Sequence, residues 1–162
     1  MSKASKQRSC PALGRNITPG DCGEQRQSSI ACPADCPHNP FAPVNYSRLL
    51  EIEERLDAKT LERFSAQAPA PGPMENEFNR ANLRSLHGHH AFFVWQLFFA
   101  TDANNTTFAR HWEQAGWTEL KNDERVLLRA KMRMRIVLIE IQRVLPNGRV
   151  EAVDLLSSDP TP

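Results

Sequence analysis

Residues 10–38, CPALGRNITPGDCGEQRQSSIACPADCPH, carry all four cysteines of the chain, Cys10, Cys22, Cys32 and Cys36, and end on His38. Eleven, nine and three residues separate the successive cysteines. A structural zinc ion needs four soft or borderline donors arriving from different directions, and thiolates or imidazoles on tight turns supply them. The turns are written into the stretch. Pro11, Pro33 and Pro37 each follow a cysteine, while Gly14, Gly20 and Gly23 let the backbone wrap. Large apolar side chains are scarce here, so metal binding and ordering are expected to be one event.

The reading is therefore a zinc module with Cys10, Cys22, Cys32 and Cys36 as candidate ligands. His38 either replaces one cysteine, orients a ligand from outside, or does neither. An iron–sulfur cluster is the second reading, since four thiolates suit it and Cys-Pro steps are common around such clusters. Free thiols or disulfides in an irregular tail are the third. The C-x3-C spacing of Cys32 and Cys36 is less standard than the paired C-x2-C of zinc knuckles.

Composition bounds the rest. A chain of 162 residues suits one domain, or a small module joined to a second. Charged residues make up 24% and the net charge is +1, so no global field selects a polyanion or an anionic membrane as partner. The N-terminal nine residues are polar and basic with no apolar run behind them, unlike a signal peptide. The longest apolar run, residues 91–100 (AFFVWQLFFA), is about half the roughly 20 residues that a spanning helix needs. A cytoplasmic protein is expected, and in a reducing compartment clustered cysteines favour metal over disulfides.

After the cysteines, residues 39–45 (NPFAPVN) read as an extended connector, because proline biases its predecessor away from helix. A helix is expected from Asn45 or Ser47, with Leu49, Ile52 and Leu56 at helical spacing and the face shifting after Asp57 toward Leu61 and Phe64. Residues 68–74 (APAPGPM) read as a linker. A helix over 75–100 follows, its second half apolar nearly all round. His87 and His90 lie one turn apart in it, with no nearby carboxylate or cysteine to complete a metal set. Thr106 or Thr107 caps a short helix that Gly116 stops, with Trp112 and Trp117 as core residues. Asp102 reads as a polar residue closing a helix end.

The last helix begins at Asn122 or Asp123, with Val126, Leu127, Ala130 and Met134 as its buried stripe. Its outer face is basic: Lys121, Arg125, Arg129, Lys131, Arg133 and Arg135 stand against Asp123 and Glu124. Such a face can track phosphates, or it can be a solvated, salt-bridged surface fed by Glu113 and Glu119. Beyond it, β-branched residues flank Pro146-Asn147-Gly148, which predicts a hairpin of strands 137–145 and 149–155. A lone hairpin is marginal in water. It should pack on the helices, pair across a homo-oligomer, or open a larger sheet.

The run from Phe93 to Leu156, with Trp95, Phe99, Asp102, the Thr106 loop, Glu124-Arg125, Arg135 and the closing Asp154-Leu155-Leu156, resembles a central stretch of larger uncharacterised bacterial proteins. Some of those are similar to proteins with SEC-C zinc motifs. The Cys10–Cys36 segment resembles the Cys-Pro-rich, metal-binding N-termini of such proteins. The resemblance implies zinc and no established activity, and it implies that this chain is a reduced or truncated relative. The SEC-C motif opens on a C-x-C pair that this chain lacks, so its metal residues do not transfer.

The expected architecture is mainly α: a Cys-rich zinc module at 1–44, its helix at 45–67, a linker at 68–74, a helical body at 75–135, a β-hairpin at 136–156 and a tail at 157–162. The expected function is that of an interaction or regulatory module, probing a protein partner with a surface that zinc shapes. A nucleic-acid-binding protein using the basic helix 121–135 is one alternative, and an iron–sulfur protein another. No Ser-His-Asp order, Gly-rich phosphate loop or HExxH suggests catalysis.

Overall fold

The computed structural model describes residues 7–67 and 86–157, with the backbone alone at 86–89. The expected linker at 68–74, the first part of the 75–100 helix, the side chain of His87 and the last five residues lie outside the described residues. The described chain is mainly helical with two small antiparallel hairpins, one at each end. It separates into two units: residues up to Met132, and residues from Arg133.

The cysteine segment is more regular than its composition suggests. Strand β1 (Arg8–Cys10) pairs with β2 (Arg15–Ile17), Cys10 opposite Arg15. The chain reverses at Gly14, whose φ of 62° is costly for a residue with a Cβ and whose N–H donates to the Cys10 carbonyl at 2.9 Å. Helix α1 (Pro19–Gln25) follows, with Thr18 as its N-cap. The Thr18 Oγ1 accepts from the Asp21 N–H at 3.1 Å and donates to the Asp21 carboxylate at 2.7 Å. Pro19 in the first turn costs nothing, because the N–H it lacks would be unpaired there.

Residues 39–45 are not the extended connector that their prolines suggest. They form turns, ending in a short 3-10 turn at Pro43–Asn45, that lead into α2 (Tyr46–Gln67). Asn39 explains the difference. It is buried, its amide donates to the Pro33 carbonyl at 3.3 Å, and its side-chain oxygen accepts from the Phe41 N–H at 3.1 Å. Local side-chain bonds of this kind fold a chain back on itself.

With no Gly or Pro between Tyr46 and Gln67, α2 runs unbroken, and Ile52, Leu56 and Thr60 bury at i, i+4 and i+8. Thr60 places its hydroxyl on the Leu56 carbonyl at 2.6 Å and so enters the core satisfied. Leu61 faces out, whereas Phe64 turns in and meets Phe93 and Phe108 edge to face at 5.7 and 5.2 Å.

Three further helices are described in the first unit: α3 (Leu86–Phe98), α4 (Phe108–Gln114) and α5 (Asn122–Lys131). Leu56, Ala109, Trp112, Trp117, Leu120 and Leu128 form one buried cluster, so both tryptophans are core residues as expected. In α3 full burial is confined to Phe92 and Leu97 among the described side chains, and the other large side chains stay half-exposed. Thr107 caps α4 through the Arg110 N–H. Gly116 at φ 89° then turns the chain so that Trp117 re-enters the core. Asp102 does not close a helix: its Oδ1 accepts from the N–H groups of Asn104 and Thr106, ordering the loop, and its Oδ2 meets His111 Nε2 at 2.8 Å.

Helix α5 turns a different face inward from the stripe its apolar spacing suggests. Glu124 and Leu128 are buried, while Ala130 is exposed and Met134 lies beyond the helix end, also exposed. The buried acid is made tolerable by two cationic side chains distant in sequence and one nearby backbone donor. Lys59 Nζ lies 2.6 Å from Glu124 Oε2, the Lys121 backbone N–H donates to the same oxygen at 2.8 Å, and Arg55 stands 3.7 Å from Oε1.

Glu119 is a second junction. Its Oε1 accepts from the Trp112 indole at 2.7 Å and from Arg63 at 2.8 Å. Burial opposes its charge, but its own backbone N–H, the indole and the guanidinium together hold the carboxyl below the usual glutamate value of 4.5. A depressed folded value stabilises the fold above the unfolded value, and that stability is lost as pH falls through the depressed one. The midpoint of the Trp112 indole N–H shift with pH is therefore expected below 4.5. A midpoint at or above that pH would show that these donors do not hold the carboxylate.

The second unit is a hairpin of β3 (Ile139–Val144) and β4 (Val150–Asp154). Its turn follows the sequence signal: Gly148 adopts φ 76°, its N–H donates to the Leu145 carbonyl at 3.0 Å, and Leu145 pairs with Arg149.

Candidate metal centre

The four cysteines arrive on four different pieces of backbone. Cys10 ends β1, Cys22 sits inside α1, Cys32 follows the bridge between Arg26 and Ile30, and Cys36 lies between two turns closed by Cys36 N–H to Pro33 and Asn39 N–H to Cys36. All four are free thiols, and all but the half-buried Cys32 are buried. Cys10 and Cys22 pack with Ile17 and Ile30 into one cluster, against which Cys32 rests.

The thiols also sense one another electrically. Burial pushes the Cys32 thiol up, a backbone hydrogen bond from Gln27 pulls it down, and the charges of Cys36, Cys22 and Cys10 push it further up. Cys32 therefore lies within electrostatic reach of the other three cysteines. Among the described residues, however, no three His, Cys, Asp or Glu side chains are grouped tightly enough to grip an ion as they stand. The donor chemistry fits zinc, and Cys10 and Cys22 pack against isoleucines as small apolar side chains do.

His38 sits in the turn after Cys36, half-buried and surrounded by arginines. Burial, then Arg8, Arg48 and Arg26, push its imidazole below the usual histidine range. Its carbonyl accepts from Arg26 Nη1 at 2.7 Å. Asn45 holds the same turn, donating to the carbonyls of Pro37 and Asn39 at 3.3 and 2.8 Å.

Arg26 and Asn122 join this segment to the helices. Arg26 caps α1 by donating its N–H to the Cys22 carbonyl at 3.1 Å, and its Nε lies 3.2 Å from Asp123 Oδ1. Asn122 donates to the carbonyls of Gly23 and Arg26 at 3.0 and 2.8 Å. Asp123 is raised by burial, with Arg26 and Arg55 opposing the rise. Arg26 does not stand out in the sequence, and Asn122 stands out only as a helix start. Asn39 before Pro40 was the other available signal, since Asn-Pro favours turns.

The basic face of α5 is largely engaged. Lys131 reaches Glu53 at 2.7 Å and Asp57 at 3.2 Å, Arg125 donates to the Trp117 carbonyl at 3.1 Å, and Arg129 lies over the Trp117 ring at 4.9 Å and beside Glu113 at 3.4 Å. No helix among the described residues is long and apolar enough to cross a membrane. No known family, curated protein or solved structure matches the chain.

Proposed function

We propose that Cys10, Cys22, Cys32 and Cys36 bind one zinc ion, with His38 as the reserve donor, and that the ion shapes a protein-interaction surface in a cytoplasmic regulatory module. The observation that carries this reading is that four free thiols stand on four separate pieces of backbone, with Cys10, Cys22 and Cys32 packed together and Cys36 within electrostatic reach of Cys32. Four free cysteines in one short segment, three of them buried, have a simple use if deprotonation and metal binding draw them together. Four protein ligands would leave the ion no open position, so the reading assigns it a structural role.

An all-cysteine set also suits an iron–sulfur cluster. A phosphate-tracking role for α5 has less support, because Arg125, Arg129 and Lys131 already have partners within the chain. Elemental analysis and an absorbance spectrum of protein purified without added metal separate these readings. About one zinc per chain with no visible band is expected. Iron with a visible band would replace zinc by a cluster, and a metal-free folded chain would overturn the metal site altogether.

A further inference from the structure

We propose that one face of the C-terminal hairpin is an interface with the same face of a second copy of this chain. The strand register sorts the side chains. Ile139 stands opposite Asp154, Ile141 opposite Ala152, and Val144 opposite Val150, whereas Glu140 faces Val153 and Arg143 faces Glu151. Directly paired residues share a face. One face is therefore Ile139, Ile141, Val144, Val150, Ala152 and Asp154, and the other carries Glu140, Arg143, Glu151 and Val153.

A bulge between Ile141 and Arg143 produces this sorting. Without the extra residue, strict alternation would put Arg143 beside Ile141 and send Val144 to the charged face. With it, the apolar face is continuous. That face is open: Ile139, Ile141, Val144 and Val150 are 54%, 56%, 67% and 51% exposed. The charged face is suited to water, with Arg143 gripping Glu151 through two hydrogen bonds at 3.0 and 2.8 Å.

Charge points to a second copy as the occupant. The apolar face has one ionisable residue, Asp154, and Arg135 already lies 3.3 Å from it. Two such faces can meet without opposing unpaired like charges, as a two-fold contact between identical patches requires. The four β-branched residues, with Val137 and Leu156 at the strand ends, offer somewhat less than the roughly 800 Å² per partner of a standard interface. Dissociation in the micromolar range is expected.

Sedimentation equilibrium of the full chain tests this from low to high micromolar concentration. The mass should rise from one chain toward two. Ile141→Lys should keep it at one chain, and Val153→Lys, on the charged face, should leave the rise intact. A wild-type mass fixed at one chain overturns the proposal, as does an Ile141→Lys chain that still doubles. Isotope-filtered NMR on mixed labelled and unlabelled wild-type chains provides the check independent of any variant. Contacts between copies at the Ile139, Ile141, Val144 and Val150 methyls are expected. Contacts from these methyls to residues before Arg133 of the same chain, in their place, would overturn the interface. The inference does not depend on metal.

Discussion

Glu124→Ala is expected to cost about 3 kcal/mol of stability, far more than loss of an exposed ion pair. The carboxylate is 1% exposed, and two cations and one backbone donor are organised around it: Lys59 at 2.6 Å, Arg55 at 3.7 Å and the Lys121 backbone N–H at 2.8 Å. Removing the acid leaves Lys59 beside an apolar core without its counter-charge, and it uncaps the first turn of α5, itself worth about 1 kcal/mol. Lys59 is partly exposed and can swing toward water, which holds the cost near the low end of the range for breaking a buried pair.

The pair need not be a net source of stability. Glu124 Oε1 is buried without a hydrogen bond, and an unmet acceptor costs on the order of 1–3 kcal/mol. Lys59→Met combined with Glu124→Leu is therefore expected to recover most of what Glu124→Ala loses. Urea denaturation of the three variants against wild type measures both effects. A cost below about 1 kcal/mol for Glu124→Ala would mean that the acid is solvated and that α5 does not dock through it.

Glu124 also shows why part of the fold was hidden in the sequence. Its neighbours on the chain mark it as one member of a charged helical face, and the residues that neutralise it lie on α2, more than sixty positions earlier. Burial of a charge is decided by such distant partners, so apolar spacing alone put Met134 and Ala130 where Glu124 belongs. Features set by nearby residues were legible. Thr107 as a cap, Gly116 as a stop, the two core tryptophans and the Pro146-Asn147-Gly148 turn all follow from chemistry within a few positions.

The candidate site falls between these cases. The cysteines announced themselves, and the structure packs Cys10, Cys22 and Cys32 together, but the helix carrying Cys22 went unread although Thr18-Pro19-Gly20-Asp21 is a capping sequence followed by a short helix. Proline density places a boundary at 68–74, outside the described residues; the cysteine segment shares hydrogen bonds with α5, and the chain separates into two units after Met132. Composition reports how stiff a stretch is. It does not report whether a side chain such as Asn122 reaches across from one stretch to another.

That bridge sets the outcome expected for Cys22→Ser. A serine hydroxyl is a poor zinc donor at neutral pH, so on the proposed reading the variant loses the ion and with it the order of residues 8–42, which have a small apolar cluster of their own. Zinc in comparable small modules supplies on the order of 10 kcal/mol, more than that cluster can replace. The damage should then travel along α1. The Cys22 carbonyl holds Arg26, and the carbonyls of Gly23 and Arg26 hold Asn122 at the start of α5. Losing two hydrogen bonds and the Arg26–Asp123 pair should weaken the helices by about 2 kcal/mol. It should not unfold them, because Leu56, Trp112, Leu120 and Leu128 pack without any residue of the cysteine segment. Amide hydrogen exchange separates the two levels: protection over 8–42 should vanish, while protection around Trp112 and Leu128 should fall and persist. Asn122→Ala should reproduce the second effect without the first. If Cys22→Ser left residues 8–42 protected, the segment would be ordered by its own packing and the thiols would have no structural ion to hold.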